Sequence, residues 1–375
     1  MNTTYKFTKE NTMAVKGIGI LMLLSFHCFS NNDRITVPGT DITVDFWPFT
    51  KEFGMFLSEQ MGVCVAIFAF LSVYGMTLSI KKSYPGYEMN ERQAALYVIK
   101  KYLSILFLFF IPFLFCELVT WEKGFLPMYG DTRAKQMCNI LMDMFCVSDI
   151  FGSHMIVRTW WYMSFLVMIT VFMPALIHLY KRYQWLMVPV VLIPIILFLD
   201  LNQRMIRWIG VVPIAVCFAD QRVLERLREF EITGNRKADK IIKFAVSTVL
   251  LYVLFLVKIR FLSNVRIRFT INTVMIVLLI YWCYEFFIEL PVIKQVLQFL
   301  GRHSADMFFV HSFIRQLWYK QELYSLESAV LIYLVLLGSS LLISIGLDLL
   351  RKLVHYQQAT DWITGKVLQF ADQIL

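Results

Sequence analysis

The chain is poor in charge. Only 17% of its 375 residues are Asp, Glu, Lys or Arg, against about 25% in soluble globular domains. It also lacks any Cys-x-x-Cys pair or Cys/His metal-ligand spacing, so no metal site is expected among its seven cysteines. There is no Gly-x-Ser-x-Gly elbow, which argues against an acyl-serine hydrolase route. No internal repeat or low-complexity tract stands out, so one membrane domain is expected rather than an array. The first apolar stretch has no small-residue cleavage site and carries a histidine, so it reads as a retained span and not as a signal peptide. Five cysteines lie in or next to apolar runs, where the free thiol packs as a small hydrophobe. Cys138 and Cys146 share one long loop, and sequence leaves open whether they pair.

What is abundant is apolar surface: 58% of residues are hydrophobic and mean hydropathy is +0.61. The excess is gathered into runs near the ~20 residues that cross a bilayer. The pattern predicts an all-α polytopic membrane protein with about ten transmembrane helices, at 13–30, 59–80, 98–118, 159–180, 184–200, 205–219, 241–258, 270–288, 304–319 and 327–350. Pro112 is expected to kink the third. A long charge-balanced loop, 119–158, is expected to be functional or to form short elements of its own. Residues 1–350 are taken as the transmembrane domain and 351–375 as a cytoplasmic amphipathic tail bearing Trp362, Ile363 and Phe370.

The net charge of +9 lies mostly in loops, as the positive-inside bias requires, and not in a nucleic-acid surface. It places both termini in the cytoplasm and the chain in the cell membrane as a multi-pass protein. One loop departs from this pattern: 258–268 should be exterior, yet it holds Lys258, Arg260, Arg266 and Arg268. Either the helix count differs there, or an exterior basic site binds an acidic substrate. Trp121, Trp160 and Trp161 read as interfacial-belt residues, and Asp306 and Glu285 as helix-end charges facing water.

The first span, MAVKGIGILMLLSFHCFS, holds Lys16 and His27. Eleven helical residues turn through about 1100°, three turns plus about 20°, so the two share one face roughly 16 Å apart along the axis. An ionisable residue within a span is costly and is a functional candidate by default. Cys28 is adjacent but points about 100° away, so it is read as packing.

Lys16-GIGILMLLSF-His27 resembles the Lys/Arg-x10-His motif on the first helix of the acyltransferase family 3 integral membrane proteins. VAIFAFLSVYGMTLS resembles their second-helix motif, with Ser72 and Tyr74 in place and Val73 where glycine is usual. TWWYMSFLVMITVFMP, 159–174, resembles the aromatic helix ending in proline. LGRHSADMFFVHSFI, 300–314, resembles the late Gly, Ser, His segment through Gly301, Ser304 and His311. The arginine-rich start of the family's third helix is replaced here by Lys100 and Lys101, which keep the charge but lose the bidentate fork.

The resemblance implies a membrane O-acyltransferase, most simply an O-acetyltransferase. It would move an acyl group from cytoplasmic acyl-CoA to a hydroxyl of a cell-surface polysaccharide or lipid-linked sugar. No permanently bound cofactor is implied. His27 would be the general base. Lys16, Lys100, Lys101 and Arg302 would face the coenzyme, and Ser72, Tyr74, Trp161 and His311 the acceptor. A secondary transporter or exporter with His27 in a proton relay is the competing expectation, although no inverted repeat supports it.

Overall fold

The structure is a computed structural model and describes residues 6–288 and 290–375. Of the polar start expected at 1–12, residues 1–5 lie outside the described residues. The first helices are α1 (Lys9–Phe29), α2 (Asn32–Ile35), α3 (Lys51–Gln60), α4 (Cys64–Ser83) and α5 (Glu91–Thr120). Then follow α6 (Phe125–Met128), α7 (Arg133–Met144), α8 (Trp161–Tyr183), α9 (Met187–Phe198), α10 (Val211–Gln221) and α11 (Val223–Glu229). The last are α12 (Arg236–Arg260), α13 (Val265–Trp282), α14 (Pro291–Ser312), α15 (Lys320–Tyr324), α16 (Ala329–Leu353) and α17 (Tyr356–Ile374). Among the described residues the one extended pairing is an isolated bridge between Asp45 and Ser328.

Local chemistry sets several of these boundaries. Asn90 opens α5 with a capping box: its side chain accepts from Gln93 N–H at 2.8 Å, and the Gln93 side chain accepts from Asn90 N–H at 3.0 Å. α5 then runs through Pro112 as one 30-residue element. Thr132 caps α7, so the 119–158 segment does form elements of its own. Two helices end in π turns: Cys283–Phe287 after α13 and Phe313–Trp318 after α14.

Among the described residues, seven segments are long and apolar enough to cross a membrane. They account for most of the ten expected spans. The fourth and fifth fall within the single segment Arg158–Phe198. The sixth and ninth are outside the set. α10 has 11 residues, about 16 Å against a core of about 30 Å, and α14 carries Arg302, His303 and Asp306. α12 leaves Ile241, Phe244, Val249, Tyr252 and Leu256 exposed. Such an apolar face is a liability in water and suits lipid. The protein is an all-α, multi-pass membrane protein.

The packing forms two compact units. The first comprises residues up to Gly19, Val63–Glu88 and Met173–Arg302. In it α1 and α14 touch backbone to backbone. A Cβ on Gly17 would meet the Leu297 carbonyl, and one on Gly301 the Met13 carbonyl. Glycine is needed there for close approach. Gly301→Ala is expected to cost about 1–3 kcal/mol or more through overpacking, read as a lowered unfolding midpoint of the purified protein. Asp220 ties α4, α8 and α10 together, accepting from Lys81 (2.7 Å), Tyr87 (2.7 Å) and Tyr180 (2.6 Å). Arg266 and Arg268, expected in a 258–268 loop, lie in the first turn of α13 and donate to the Ile196 and Leu262 carbonyls at 3.1 and 2.9 Å. Glu285 does not face water: it is buried in the π turn, 3.9 Å from Arg228.

The second unit comprises Ile20–Gly62, Met89–Phe172 and His303–Leu375. Trp160 is not an interfacial residue here. It is buried against Phe109 (4.7 Å between centroids) and Phe313 (5.1 Å), and its indole donates to the Phe309 carbonyl at 3.3 Å. A belt tryptophan and a core tryptophan look alike at a helix end; only the aromatic neighbours from α5 and α14 separate them. Trp121 is exposed, as an interfacial tryptophan would be. Asp306 also turns inward, where Arg351 of α16 takes both its oxygens at 2.7 Å. α17 pairs Asp372 with Arg92 at 2.8 Å and leaves Trp362 and Phe370 exposed.

Cys138 is exposed and Cys146 buried, and both thiols are free. Beside Cys146, the Tyr129 hydroxyl lies between Glu117 (2.8 Å) and Asp143 (3.0 Å). Burial pushes the Asp143 carboxyl up from 3.8 to about 6. The folded state therefore holds this proton more tightly than the unfolded chain does. The stability it contributes is present below pH 3.8 and is lost as pH rises to about 6. Asp143→Asn is expected to remove this slope, measured as the wild-type minus variant melting midpoint across that window.

Candidate functional site

α1 is one uninterrupted helix over both Lys16 and His27, so their eleven-residue register stands as helix geometry. His27 lies in its last turn. Two residues beyond α1 the chain turns into α2, held by Asn31, whose side chain accepts from Arg34 N–H at 3.2 Å. This turn brings the Arg34 guanidinium back over the Phe26 ring, 4.6 Å from its centroid. There Arg34 Nη1 lies 2.6 Å from His27 Nδ1. Arginine has no acceptor, so Nδ1 must accept, and a neutral His27 carries its proton on Nε2.

His311, in the last turn of α14, meets His27 ring to ring at 4.9 Å and 45°. It is fully buried. Its Nδ1 lies 2.7 Å from the Phe308 carbonyl oxygen, which can only accept. Nδ1 is therefore protonated, and the Nε2 lone pair accepts from Ser312 Oγ at 3.1 Å. A carbonyl anchor on one ring nitrogen fixes the tautomer and orientation of the other.

The π turn that follows α14 carries Arg315, and its i to i+5 bond, Tyr319 N–H to the Ile314 carbonyl, is 3.0 Å long. Such bulges recur at functional sites. Arg315 is buried, and its Nε has no hydrogen-bond partner. The Tyr324 hydroxyl bonds to Arg315 and donates to the Cys28 carbonyl at 2.9 Å. Burial, followed by the positive charge of Arg315, pushes Arg34 down to about 10. Burial pushes Tyr324 up. Within one unit, two imidazoles and two guanidiniums thus cluster around the end of α1.

Of the residues expected from sequence, His27 and His311 are brought together. Trp161 is linked to them through rings: it packs on Tyr162 (6.2 Å), Tyr162 on Phe308 (5.7 Å), and Phe308 on His311 (6.0 Å). Lys100 is exposed, and Lys101 lies over the Tyr97 ring at 5.9 Å; neither contacts the imidazoles. Lys16, Ser72, Tyr74 and Arg302 belong to the other unit. There Tyr74 is buried, its hydroxyl 3.4 Å from Glu225, and Arg302 is exposed. Arg34 and Arg315 were missed. For Arg315 the signal was present: an arginine inside the expected ninth span, where a charge is itself a functional candidate.

The sequence model of the acyltransferase domain family, acyltransferase family 3, matches residues 13–349. The chain belongs to this family. The match contains α1 from Met13 onward with both Lys16 and His27, the π turn with Arg315, and all but the last residues of α16. No curated protein and no solved structure matches the chain. Family membership makes the protein a membrane acyltransferase.

Proposed function

We propose that this acyltransferase moves an acetyl group from cytoplasmic acyl-CoA to a hydroxyl of a cell-surface polysaccharide or lipid-linked sugar. The observation that carries this reading is the imidazole pair, His27 and His311, in a chain of this family. Both termini are cytoplasmic in the proposal, so α1 runs from the donor side at Lys16 toward the acceptor side at His27. Lys16 holds phosphates of the donor, with Lys100, Lys101 and Arg302 as further cationic contacts. Ser72, Tyr74, Trp161 and His311 face the acceptor.

His27 is the general base, since a neutral imidazole presents a lone pair suited to proton removal. The acceptor oxygen attacks the thioester carbon, His27 Nδ1 takes the hydroxyl proton, and the C–S bond breaks. The proton then passes to the departing thiolate, giving free CoA. The thioester is already activated, so no acyl-enzyme is required. Nδ1 serves as base once Arg34 has left it. His311, whose Nε2 lone pair accepts from Ser312 in the free protein, stabilises the resulting imidazolium once that bond is exchanged.

The direct test is the purified protein in proteoliposomes with labelled acetyl-CoA and a lipid-linked oligosaccharide. Acetylated product and free CoA support the reading; accumulation of unmodified acceptor in the lumen would overturn it in favour of transport. Lys16→Ala is expected to raise KM for acetyl-CoA about tenfold with little change in kcat, the loss of one charge-assisted contact to phosphate. An unchanged KM removes Lys16 from the donor site.

A further inference from the structure

Arg315 is 4% exposed, and its Nε is without a hydrogen-bond partner. Among the described residues no carboxylate lies within ion-pair distance of Arg315 or Arg34. Asp33 is exposed and its charge reaches Lys320; the remaining groups around the two arginines add positive charge or are already engaged. Lys320 donates to the Thr36 carbonyl at 2.7 Å. The Tyr324 hydroxyl is committed to the Cys28 carbonyl. His27 and His311 supply no negative charge. Buried charges are normally paired, because an unpaired one pays its desolvation without a return. This cluster holds two guanidiniums close enough that the charge of Arg315 lowers the basicity of Arg34, and neither has a carboxylate partner.

We propose that Arg34 and Arg315 form a subsite for an anionic group of the acceptor, a carboxylate or a phosphate. Either is planar or forked in the way a guanidinium matches with parallel hydrogen bonds. A transient oxyanion on the acyl carbon does not account for the arrangement equally well. It exists only during the reaction, and the buried Arg315 and half-buried Arg34 would stand uncompensated at all other times. An anion bound with the acceptor neutralises them for as long as the complex lasts.

The subsite also explains the position of Arg34 on His27 Nδ1. In the free protein that nitrogen is occupied. A bound anion draws Arg34 to itself and releases the lone pair, so the base becomes available only when acceptor is present. Water entering without acceptor finds the base covered, which limits wasteful thioester hydrolysis. This inference rests on the proposed role of His27 and gives that site a substrate class: acceptors carrying a uronate or a phosphate.

The test uses the full chain purified in detergent, with unfolding midpoints recorded against glucuronate, glucose 1-phosphate, neutral glucose and CoA. Glucuronate or glucose 1-phosphate is expected to raise the midpoint and glucose not to. In Arg315→Gln and in Arg34→Gln the apparent affinity for the sugar anion is expected to fall about tenfold or more, while the CoA response persists. No anion-specific shift in the wild type, or an equal shift in both variants, overturns the proposal. Loss of the CoA response alone assigns the arginines to donor phosphate and overturns it as well. Arg315→Gln without ligand is expected to melt about 2 °C higher, since an unpaired buried charge has been removed; a lower midpoint counts against an uncompensated site. His27→Ala separates the two claims. It should keep the anion response while losing transfer, and if transfer survives, the base assignment fails while the subsite stands.

Discussion

His27→Ala is expected to lower the acyl-transfer rate about 10²–10⁴-fold, the usual contribution of a positioned general base. Binding of acetyl-CoA should change little, because the imidazole acts on the acceptor proton. His311→Ala should also slow transfer, but by less, since its part is to support the charged ring and not to take the first proton. The ring contact of 4.9 Å makes the two losses interdependent. In a double-mutant cycle the second substitution should cost much less than it does alone. The measurement is single-turnover transfer from labelled acetyl-CoA, with folding checked by an unchanged elution profile. A His27→Ala protein that retains its rate to within a few-fold would end the assignment of His27 as base.

Arg351→Ala is expected to destabilise the protein by about 3–5 kcal/mol, the cost of leaving a buried carboxylate unpaired. Asp306 is 6% exposed and has both oxygens on this one guanidinium. The Arg351 side chain also donates to the Leu108 carbonyl at 3.3 Å, so α5, α14 and α16 are joined at one point. Asp306→Asn together with Arg351→Met should recover much of the loss, because removing both charges removes the desolvation as well. Thermal unfolding of the single and double variants reads both effects. Asp306 lies about one turn and a half before His311 on α14. A loosened Asp306 is therefore also expected to blur the His311 position and slow transfer without altering the site's chemistry.

The fold was largely legible in the sequence, because lipid imposes a simple requirement. A segment crossing hydrocarbon must satisfy its own backbone bonds and present apolar side chains, so length and hydropathy mark it. That logic located α1, α4, α5, α8, α12, α13 and α16, with ends up to about seven residues off. It was less reliable at α10 and α14, where polar groups are admitted because protein rather than lipid surrounds them. Asp306 and Glu285 were read as water-facing for the same reason: a charge near a helix end looks alike whether it meets solvent or a buried arginine.

The sequence by itself determined the membrane class, the family, and the register of Lys16 with His27. All three depend on local spacing along a helix, and spacing survives without knowledge of neighbours. The tertiary structure decided what surrounds His27. His311 comes from the far end of the chain, Arg315 is turned inward by a π bulge, and Arg34 reaches back from the turn after α1 to a ring nitrogen 2.6 Å away. Such pairings are set by which helices pack together and by where burial strips water from a charge. Neither quantity is written in the periodicity of any single segment, and both had to come from the folded chain.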